Sequence, residues 1–202
     1  MTFTTGLVLA AGSSTRLGRP KQLLDYRGRP LLDATLDMAR SCGFDQLIVA
    51  LGGARDDVRA AVDLSGCGVV DNVQHTTGCS SSIVAALDHI DPRADGLVLL
   101  LGDQPGVTPA SVAAVMSMAA TTTDGEGRPV AMAVCRYDDG RGHPFWFSRA
   151  AFEELRDLHG DKGVWKLLES GRRPTVEVPI EGPVPLDVDT WDDYERLLES
   201  TP

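Results

Sequence analysis

The sequence predicts an α/β fold with three layers, built on a doubly wound and mostly parallel sheet. Short, unbroken apolar runs recur along the chain, which is typical of strands that are covered on both faces. Segments with helical periodicity lie between these runs, and strands that alternate with helices form parallel sheets. The chain has 202 residues, of which 43% are hydrophobic, so it is long enough for one domain with a sizeable core.

The strands are predicted from four apolar runs, at 6–10, 46–51, 96–101 and 129–134. Residues 171–185 are rich in proline, which cannot donate to a β-ladder, so this stretch predicts an edge strand with loops. Ligands bind at the carboxyl ends of strands in such sheets. The polar loops at 11–21, 72–82 and 102–105 are therefore the candidate site.

Helices are predicted where apolar residues recur at helical spacing between capping residues. Gly43 ends the first of them, serines at 80–82 can cap the third, and Thr108 followed by Pro109 begins the fourth. Thr190 is the expected cap of the last helix. The predicted helices span 31–42, 56–62, 80–90, 109–119, 150–159, 162–169 and 190–199. Residues 121–128, TTTDGEGR, predict a surface loop.

Composition and charge exclude several classes of function. The formal net charge is -10, which argues against binding to nucleic acids or to anionic membranes. Cys42, Cys67, Cys79 and Cys135 form no CxxC pair, so neither a zinc site nor a disulfide framework is indicated. No apolar run approaches the ~20 residues of a membrane helix, and the N-terminus lacks the features of a signal peptide. We expect a cytoplasmic protein.

The first loop, in LVLAAGSSTRLGRPKQLL, concentrates positive charge behind a predicted strand. Gly12 allows a tight turn and a close approach of the backbone to a ligand. Backbone N–H groups there can bind phosphate, and Arg16 and Lys21 can neutralise its charge. The pattern is neither GxGxxG nor GxxxxGK[ST], so neither a dinucleotide dehydrogenase nor a P-loop kinase is favoured. The alternative is an ordinary strand–loop–helix turn with solvated basic residues.

The other loops carry hydroxyls and carboxylates. NVQHTTGCSSSIVAAL contains a glycine and three serines before a helix, which suits a polar or anionic ligand or simply a capped helix. Asp103 ends the apolar strand of LVLLLGDQPG and is either a turn residue or a ligand of Mg2+, which prefers one or two carboxylates. Asp187 and Asp189 lie on the same face of an extended segment, so both can approach one cation. The alternative for these two residues is a solvated helix cap.

The stretch LAAGSSTRLGRPK resembles the nucleotide-binding loop of the MobA/MocA-like nucleotidyltransferases, L-A-[AG]-G-x-x-x-R-[ML]-G-x-x-K. The resemblance implies a Rossmann-like domain of the nucleotide-diphospho-sugar transferase type, which binds a nucleoside triphosphate and releases pyrophosphate. It also implies that Lys21 contacts the phosphates. The matching residues are Leu9, Ala10, Ala11, Gly12, Arg16, Leu17, Gly18 and Lys21.

Further blocks resemble the molybdenum cofactor cytidylyltransferases. The segment N-x-x-W-x-x-G-x-S-S-S-L is matched at Asn72, Gly78, Ser80, Ser81 and Ser82, with His75 in place of Trp. GDQP resembles the metal-binding strand end and implies that Asp103 binds Mg2+. The ending D-[IV]-D-T-P-x-D-[LY] is matched at Asp187, Asp189, Thr190 and Asp193, with Trp191 in place of Pro. By this resemblance Asp189 is the second metal ligand.

Two blocks resemble the part of the family that receives the acceptor. Gly142, His143, Pro144 and Phe147 match G-H-P-x-x-F, and Gly160, Asp161 and Gly163 match L-x-G-D-x-G-A-R. Trp165 replaces the Arg of the second pattern. Candidates for acceptor binding are therefore His143, Asp161 and Lys166, with Arg172 and Arg173 as further candidates for the acceptor phosphate.

The resemblance implies one nucleotidyltransferase domain over 1–202, with a nucleotide-binding half at about 1–120 and an acceptor-binding half at about 121–202. The implied reaction transfers CMP from CTP to molybdopterin or its molybdenum form. Arg16, Lys21 and Asp103 are the expected catalytic residues. The residues expected to bind the nucleotide are Leu9, Ala10, Ala11, Gly12, Arg16, Lys21, Asn72, Gly78, Ser80, Ser81 and Asp103.

The choice of CTP over GTP depends on Ala11, since the guanylyl-transferring relatives read L-A-G-G and a methyl group there crowds a purine. A guanylyltransferase, a nucleotidyltransferase for another phosphorylated small molecule and a non-catalytic chaperone that delivers cofactor remain open. A recipient molybdoenzyme is a further expected partner. The chain itself is expected to be a monomer or a weak homodimer.

Overall fold

The computed structural model describes residues 2–123 and 127–200. Its strands are β1 (Thr4–Ala10), β2 (Asp25–Tyr26), β3 (Arg29–Pro30), β4 (Gln46–Leu51), β5 (Gly68–Asp71), β6 (Gly96–Leu101), β7 (Met132–Arg136), β8 (Arg141–Ser148) and β9 (Thr175–Pro179). Its helices are α1 (Leu31–Ser41), α2 (Arg55–Ala61), α3 (Ser80–Leu87), α4 (Pro109–Thr121), α5 (Phe152–Arg156), α6 (Gly163–Glu169) and α7 (Trp191–Glu199). The short strands β2 and β3 form a separate hairpin.

The centre of the molecule is a seven-stranded sheet in the order β5-β4-β1-β6-β8-β7-β9. β1 pairs in parallel with β4 on one side and with β6 on the other, so that Val8 faces Val49 and Leu100. β8 runs antiparallel to β6 and to β7, and β9 is again parallel to β7. The prediction of a mostly parallel, doubly wound sheet is confirmed.

Helices cover both faces of the sheet and give the three predicted layers. α1, α2 and α4 bury apolar residues against one face, and α3, α5 and α6 do so against the other. β1 is buried along its whole length because both of its faces are covered. α7 lies apart from these layers and packs Leu197 against Leu17, Leu24 and Tyr26, which follow β1. The end of the chain is thereby held beside the first loop.

Two helices begin at the threonines that the sequence indicates. The hydroxyl of Thr108 accepts a hydrogen bond from Ser111 N at 3.2 Å, and Thr190 accepts one from Asp193 N at the same distance. Both ends are capping boxes, since the residue three positions on also accepts from the cap backbone. α3 differs, because no serine caps it. Asp161 accepts a hydrogen bond from Cys79 N instead.

The second half departs most from the predicted elements. β7 begins at Met132, three residues later than predicted, and the helix predicted over 150–159 shortens to α5 behind a 3-10 turn. β8 was not predicted as a strand. The predicted loop 121–128 begins at the last residue of α4. An isolated antiparallel β-bridge joins Thr123 to Pro129. Residues 124–126 lie outside the described residues. In the described part of the chain, no helix has the length and apolar character to span a membrane.

Candidate active site

A cleft of about 600 Å3 opens at the carboxyl ends of β1 and β6. The chain order reverses between these neighbouring strands, because β4 and β5 extend the sheet on one side of β1 and β6 begins the other. Doubly wound sheets bind their ligands at such a point. The predicted residues that line the cleft are Leu9, Ala11, Gly12, Arg16, Lys21, Gly78, Asp103, Asp161 and Asp189.

The loop after β1 is held in place by the two residues that follow it. Lys21 N donates a hydrogen bond to the hydroxyl of Ser14 at 3.0 Å. The buried amide of Gln22 donates to the carbonyls of Ala10 and Gly12, at 2.7 and 3.2 Å. Sequence reasoning missed Gln22, although its place directly after the motif lysine was a signal. These hydrogen bonds fix the course of the loop after β1.

Gly12 has space above it. A methyl group built at this position would come no closer than 3.7 Å to another atom, the Cε of Lys21. The fold itself therefore leaves room for a side chain there, so the packing around this loop does not explain the glycine. A backbone that must lie close to a ligand does explain it.

Lys21 joins two carboxylates that are far apart in sequence. Its ammonium donates a hydrogen bond to Asp103 and a second, of 2.8 Å, to Asp189 Oδ1. Arg16 Nη2 lies 2.8 Å from the other oxygen of Asp189. The strand end of β6 supplies Asp103, and the segment that leads into α7 supplies Asp189. The fold thus brings the two predicted metal ligands and the two predicted phosphate-binding cations together.

The electrostatics of this cluster favour its charged forms. Burial acts to lower the pKa of Lys21, but Asp103 and Asp189 outweigh burial and hold the pKa above its usual value. Burial acts to raise the pKa of Asp189, but Lys21 and Arg16 hold it below the usual range. The charged ammonium of Lys21 thus bridges the carboxylates of Asp103 and Asp189.

Asp187 also lines the cleft, and it differs from its neighbours. Burial and the nearby charge of Asp103 raise the pKa of Asp187 to about 6. Sequence reasoning placed Asp187 on the same face as Asp189 but did not include it among the site residues. Among the described residues, the cleft therefore contains four carboxylates, those of Asp103, Asp161, Asp187 and Asp189, against Arg16, Lys21 and Lys162.

The donor set at Lys21 fits a divalent cation. Oxygens of Asp103 and Asp189 converge on one atom, the Nζ of Lys21, at hydrogen-bonding distances. Mg2+ is commonly coordinated by one or two protein carboxylates, while phosphates and water supply its other ligands. The described residues contain no cluster of three or more His, Cys, Asp or Glu side chains arranged to hold a metal without a substrate.

The loop before α3 forms a second wall of the cleft, and most of its predicted residues support it from behind. The amide of Asn72 donates to the hydroxyls of Ser81 and Ser82, at 2.8 and 2.9 Å. Of these three residues, only Ser82 is a cleft residue. The side chain of Ser80 packs against Gly163, where an added Cβ would lie 2.3 Å from its hydroxyl. Asn72, Ser80 and Ser81 thus shape the wall.

His75, which replaces the Trp of the family pattern, lines the cleft beside Ala11. Its ring packs on Gly53, where a Cβ would lie 2.9 Å from the ring carbon Cε1. The adjacent Gly52 contacts the carbonyl of Ala11 so closely that a Cβ would lie 2.3 Å from it. His75 Nδ1 is buried and has no hydrogen-bond partner within the described residues. His75 and Ala11 thus both line the cleft and each packs against one residue of the Gly52–Gly53 pair.

The candidates for acceptor binding divide between the cleft and its surroundings. Asp161 lines the cleft together with Lys162, whereas Lys166 is exposed on α6 and does not line it. His143 is also not a lining residue. Its ring is buried and stacks on Phe145 with centroids 4.0 Å apart, and Phe145 meets Trp165 edge-on at 5.1 Å. Burial lowers the pKa of His143 to about 3.

Arg172 and Arg173 lie elsewhere. They precede β9 and line a different cavity, on the edge of the sheet where β1 and β6 begin. The structure therefore separates them from Lys21 and Asp103. Their place in the sequence, shortly after the acceptor-like block, gave no sign of this.

Comparison with known proteins places this geometry in a family. The family model of the MobA-like NTP transferase domain matches residues 6–176. Rv0371c from Mycobacterium tuberculosis H37Rv has a crystal structure that is 56% identical, covers 98% of each chain and gives a TM-score of 0.89. A second structure of Rv0371c is a complex with manganese, 55% identical with a TM-score of 0.87, and covers 99% of this chain and 100% of that one.

Two curated relatives are more distant. The purine catabolism protein PucB of Bacillus subtilis (strain 168) is 27% identical over 212 residues, with 96% of each chain covered. The bifunctional protein GlmU of Sorangium cellulosum (strain So ce56) is 32% identical over 146 residues, 69% of this chain. The chain spans only 30% of the length of that GlmU.

Proposed function

Because this chain belongs to the MobA-like NTP transferase family and is a nucleotidyltransferase, we propose that it transfers CMP from CTP to molybdopterin or its molybdenum form. Pyrophosphate is released, and the cytosine dinucleotide form of the cofactor is the product. The observation that carries this proposal is the cluster of Lys21, Arg16, Asp103 and Asp189 at the switch point of the sheet. The acceptor and the base are inferred from motif resemblance.

The proposed reaction is an in-line displacement at the α-phosphorus. An oxygen of the terminal phosphate of the pterin attacks the α-phosphorus of CTP and forms the new P–O bond. The bond to the bridging oxygen of the β-phosphate breaks, and pyrophosphate leaves with the electron pair. The acceptor oxygen is already anionic at neutral pH, so no strong general base is needed. Repulsion between the two anions is the main obstacle, and electrostatic stabilisation should supply most of the catalysis.

This chain's own residues meet that obstacle in the proposal. The backbone of the loop at Ala11 and Gly12 holds the triphosphate close to β1, while Arg16 and Lys21 stabilise the negative charge that gathers on pyrophosphate. Asp103 and Asp189 would hold Mg2+. When bound, this cation would neutralise phosphate charge and orient the phosphate oxygens. That Rv0371c forms a complex with manganese supports a divalent cation as part of this proposal.

The acceptor is proposed to enter from the side of Asp161 and Lys162. Lys162 lines the cleft directly before the start of α6 and brings an ammonium group to it. It is therefore the better-placed cation for the acceptor phosphate, with Lys166 one turn further along the helix. His143 is buried and does not line the cleft, so no direct contact with the acceptor is proposed for it.

The test combines the purified protein with molybdopterin, Mg2+ and each nucleoside triphosphate in turn. Pyrophosphate release is measured, and the dinucleotide product is identified by mass. We expect turnover with CTP and a product that is heavier than molybdopterin by one cytidylyl group, which is CMP less one water. A preference for GTP would overturn the choice of base, and the absence of pyrophosphate with every triphosphate would overturn the reaction.

Ala11→Gly tests the base assignment within the same assay. Removal of the methyl group should raise turnover with GTP relative to CTP, because in this proposal the methyl group of Ala11 crowds a purine base.

Asp103→Ala should abolish the Mg2+-dependent activity. Metal dependence that persists in Asp103→Ala would show that another residue is the ligand.

A further inference from the structure

A second cavity lies at the edge of the sheet opposite to the candidate active site. It holds about 1030 Å3, against about 600 Å3 for the active-site cleft. Its wall comes from the starts of β1, β6, β7 and β9 and from the end of the antiparallel β8, at Thr4, Asp95, Ala131, Pro174 and Ser148. β1 has seven residues and rises about 3.3 Å per residue, so roughly 20 Å separates the two edges. This cavity is therefore distinct from the cleft.

The charge of this wall is unlike that of the chain as a whole. The protein carries a formal net charge of -10, yet Arg149, Arg172 and Arg173 all line the cavity. Arg173 is paired with Glu154. The guanidinium of Arg149 donates to the neutral carbonyl of Ala94 at 3.0 Å and has no acidic partner within the described residues.

Arg172 differs from Arg149 and Arg173 in its contacts. Its side chain is exposed and makes no hydrogen bond or ion pair with any residue that the structure describes. Together, Arg149 and Arg172 present two planar donor groups that match phosphate, sulfonate or carboxylate oxygens.

The same wall contains polar atoms without partners. Trp146 Nε1, Ser148 Oγ and Glu154 Oε2 are all buried, and none has a hydrogen-bond partner in the described residues. All three residues line the cavity. Buried polar groups in folded proteins are nearly always paired, and exceptions indicate a missing water, ion or ligand. The indole N–H and the hydroxyl are donors, which suit the oxygens of an anion, whereas the carboxylate oxygen of Glu154 is an acceptor and suits a hydrogen-bond donor of the same ligand.

The remaining wall is apolar. Val130, Ala131, Ala119 and the indole of Trp146 are each at least nine-tenths buried, and they border the same space. A ligand in this cavity would contact the guanidinium groups of Arg149 and Arg172 and also an apolar surface that includes Trp146. Ligand pockets commonly combine these features, with a few polar groups that fix the ligand's orientation.

We propose that this cavity is a second ligand site, which binds a small organic anion. Arg149 and Arg172 bind its phosphate, sulfonate or carboxylate group, and its aromatic or aliphatic part packs on Trp146 and Ala131. The proposal is independent of the reaction proposed above, because none of these residues belongs to the active-site cleft.

The test uses 8-anilinonaphthalene-1-sulfonate, which joins a sulfonate to an aromatic body. Its fluorescence is titrated with the folded protein at neutral pH, and the indole N–H signal of Trp146, assigned with Trp146→Phe, is followed by NMR. We expect saturable binding and a shift of the Trp146 signal. In the double variant Arg149→Ala, Arg172→Ala, the dissociation constant should rise at least tenfold.

Two controls separate this site from other basic surfaces. Arg55→Ala removes an arginine at the start of α2, and Lys21→Ala removes the central cation of the cleft; both should bind the dye within twofold of the unaltered protein. Circular dichroism checks that each variant is folded, and the single variant Arg172→Ala removes a side chain that has no internal partner. Unchanged affinity in the folded double variant or in folded Arg172→Ala, or an equal loss in Lys21→Ala, would overturn the proposal.

Discussion

At the scale of single residues, Lys21 is the centre of the candidate active site. Its backbone N–H fixes the loop through Ser14, and its ammonium holds Asp103 and Asp189 together. Without that ammonium the two carboxylates would face each other across a partly buried site, which like charges oppose. A cation that binds these carboxylates must compete with Lys21, and a displaced Lys21 is then free to contact phosphate.

This competition predicts opposite effects of Lys21→Met on metal binding and on turnover. Met preserves the length of the side chain but removes the charge. The affinity for Mg2+ without nucleotide should rise by roughly tenfold, since an opposing charge within a few ångströms is removed. Pyrophosphate release should fall by about a hundredfold or more, as when one transition-state donor is lost. Calorimetric titration with MgCl2 and the pyrophosphate assay measure the two effects.

Lys162→Met is the matched control for the metal titration. Lys162 lines the same cleft, but among the described contacts it forms no ion pair with Asp103 or Asp189. Its replacement should leave the affinity for Mg2+ unchanged. A weaker affinity in Lys21→Met would contradict the view that Lys21 competes with the metal.

His143 predicts how stability depends on pH. Burial lowers its pKa from 6.5 to about 3 in the folded state, so the unfolded chain binds its proton more readily. The contribution of His143 to stability is therefore complete above pH 6.5 and is lost as the pH falls towards 3. Its slope approaches about 1.4 kcal/mol per pH unit between these limits.

Urea unfolding at pH 7, 6, 5 and 4.5 measures this slope. His143→Gln should lose less stability across the series than the unaltered protein, because the residue that must stay neutral is gone. His159→Gln, an exposed position, should retain the original slope. Parallel curves for the unaltered protein and His143→Gln would show that His143 is not the group responsible.

At the scale of elements, the strands were predictable where a single physical signal dominated. β4 and β6 begin and end at the predicted residues because burial on both faces makes every position after Gln46 and Gly96 apolar. β8 was missed because Arg141, Gly142, His143 and Pro144 open it with polar and turn-forming residues. β6 ends more than thirty residues before β8 begins, and β7 ends fewer than ten residues before it. The pairing of β8 with both strands is seen only in the folded sheet.

The capping boxes of α4 and α7 are alike, so the effect of losing the cap can be compared between the two helices. Thr190→Ala and Thr108→Ala remove the same hydrogen bond to the third residue of the helix. Each should lower the free energy of unfolding by about 1 kcal/mol. Thr190 directly follows Asp189, whose N–H also contacts Asp193 at 3.3 Å, so loss of this cap should loosen a proposed metal ligand.

The two variants should therefore differ in activity. Thr190→Ala should need a several-fold higher Mg2+ concentration for half-maximal pyrophosphate release, whereas Thr108→Ala should need the same concentration as the unaltered protein. Urea unfolding and a metal titration of activity give both quantities. An equal metal requirement in the two variants would mean that the start of α7 does not position Asp189.

At the scale of the whole molecule, the site exists only because distant segments converge. Lys21 meets Asp103 across 82 positions and Asp189 across 168. The family resemblance predicted this convergence, but composition and periodicity did not. Gln22, Lys162 and Asp187 were not predicted as site residues because their place depends on how the two ends of the chain pack around β1. The separation of Arg172 and Arg173 from the cleft has the same origin.

The proposed halves, 1–120 and 121–202, contribute strands to one sheet, and each main core cluster contains residues of both. This arrangement predicts that they unfold together. All three tryptophans, Trp146, Trp165 and Trp191, belong to the second half, while the loop that is proposed to bind the triphosphate belongs to the first. Urea transitions followed by tryptophan fluorescence and by far-ultraviolet circular dichroism should therefore coincide.

The nucleotide then serves as a probe of cooperativity. CTP with Mg2+ at about 100 times its dissociation constant should raise the free energy of unfolding by about 2.7 kcal/mol. Because β6 pairs directly with β8, stabilisation of the first half cannot leave the second half unfolding at its former urea concentration. Both signals should move by the same amount. A circular dichroism transition that moves while the tryptophan transition stays in place would instead identify 1–120 and 121–202 as separately folding units.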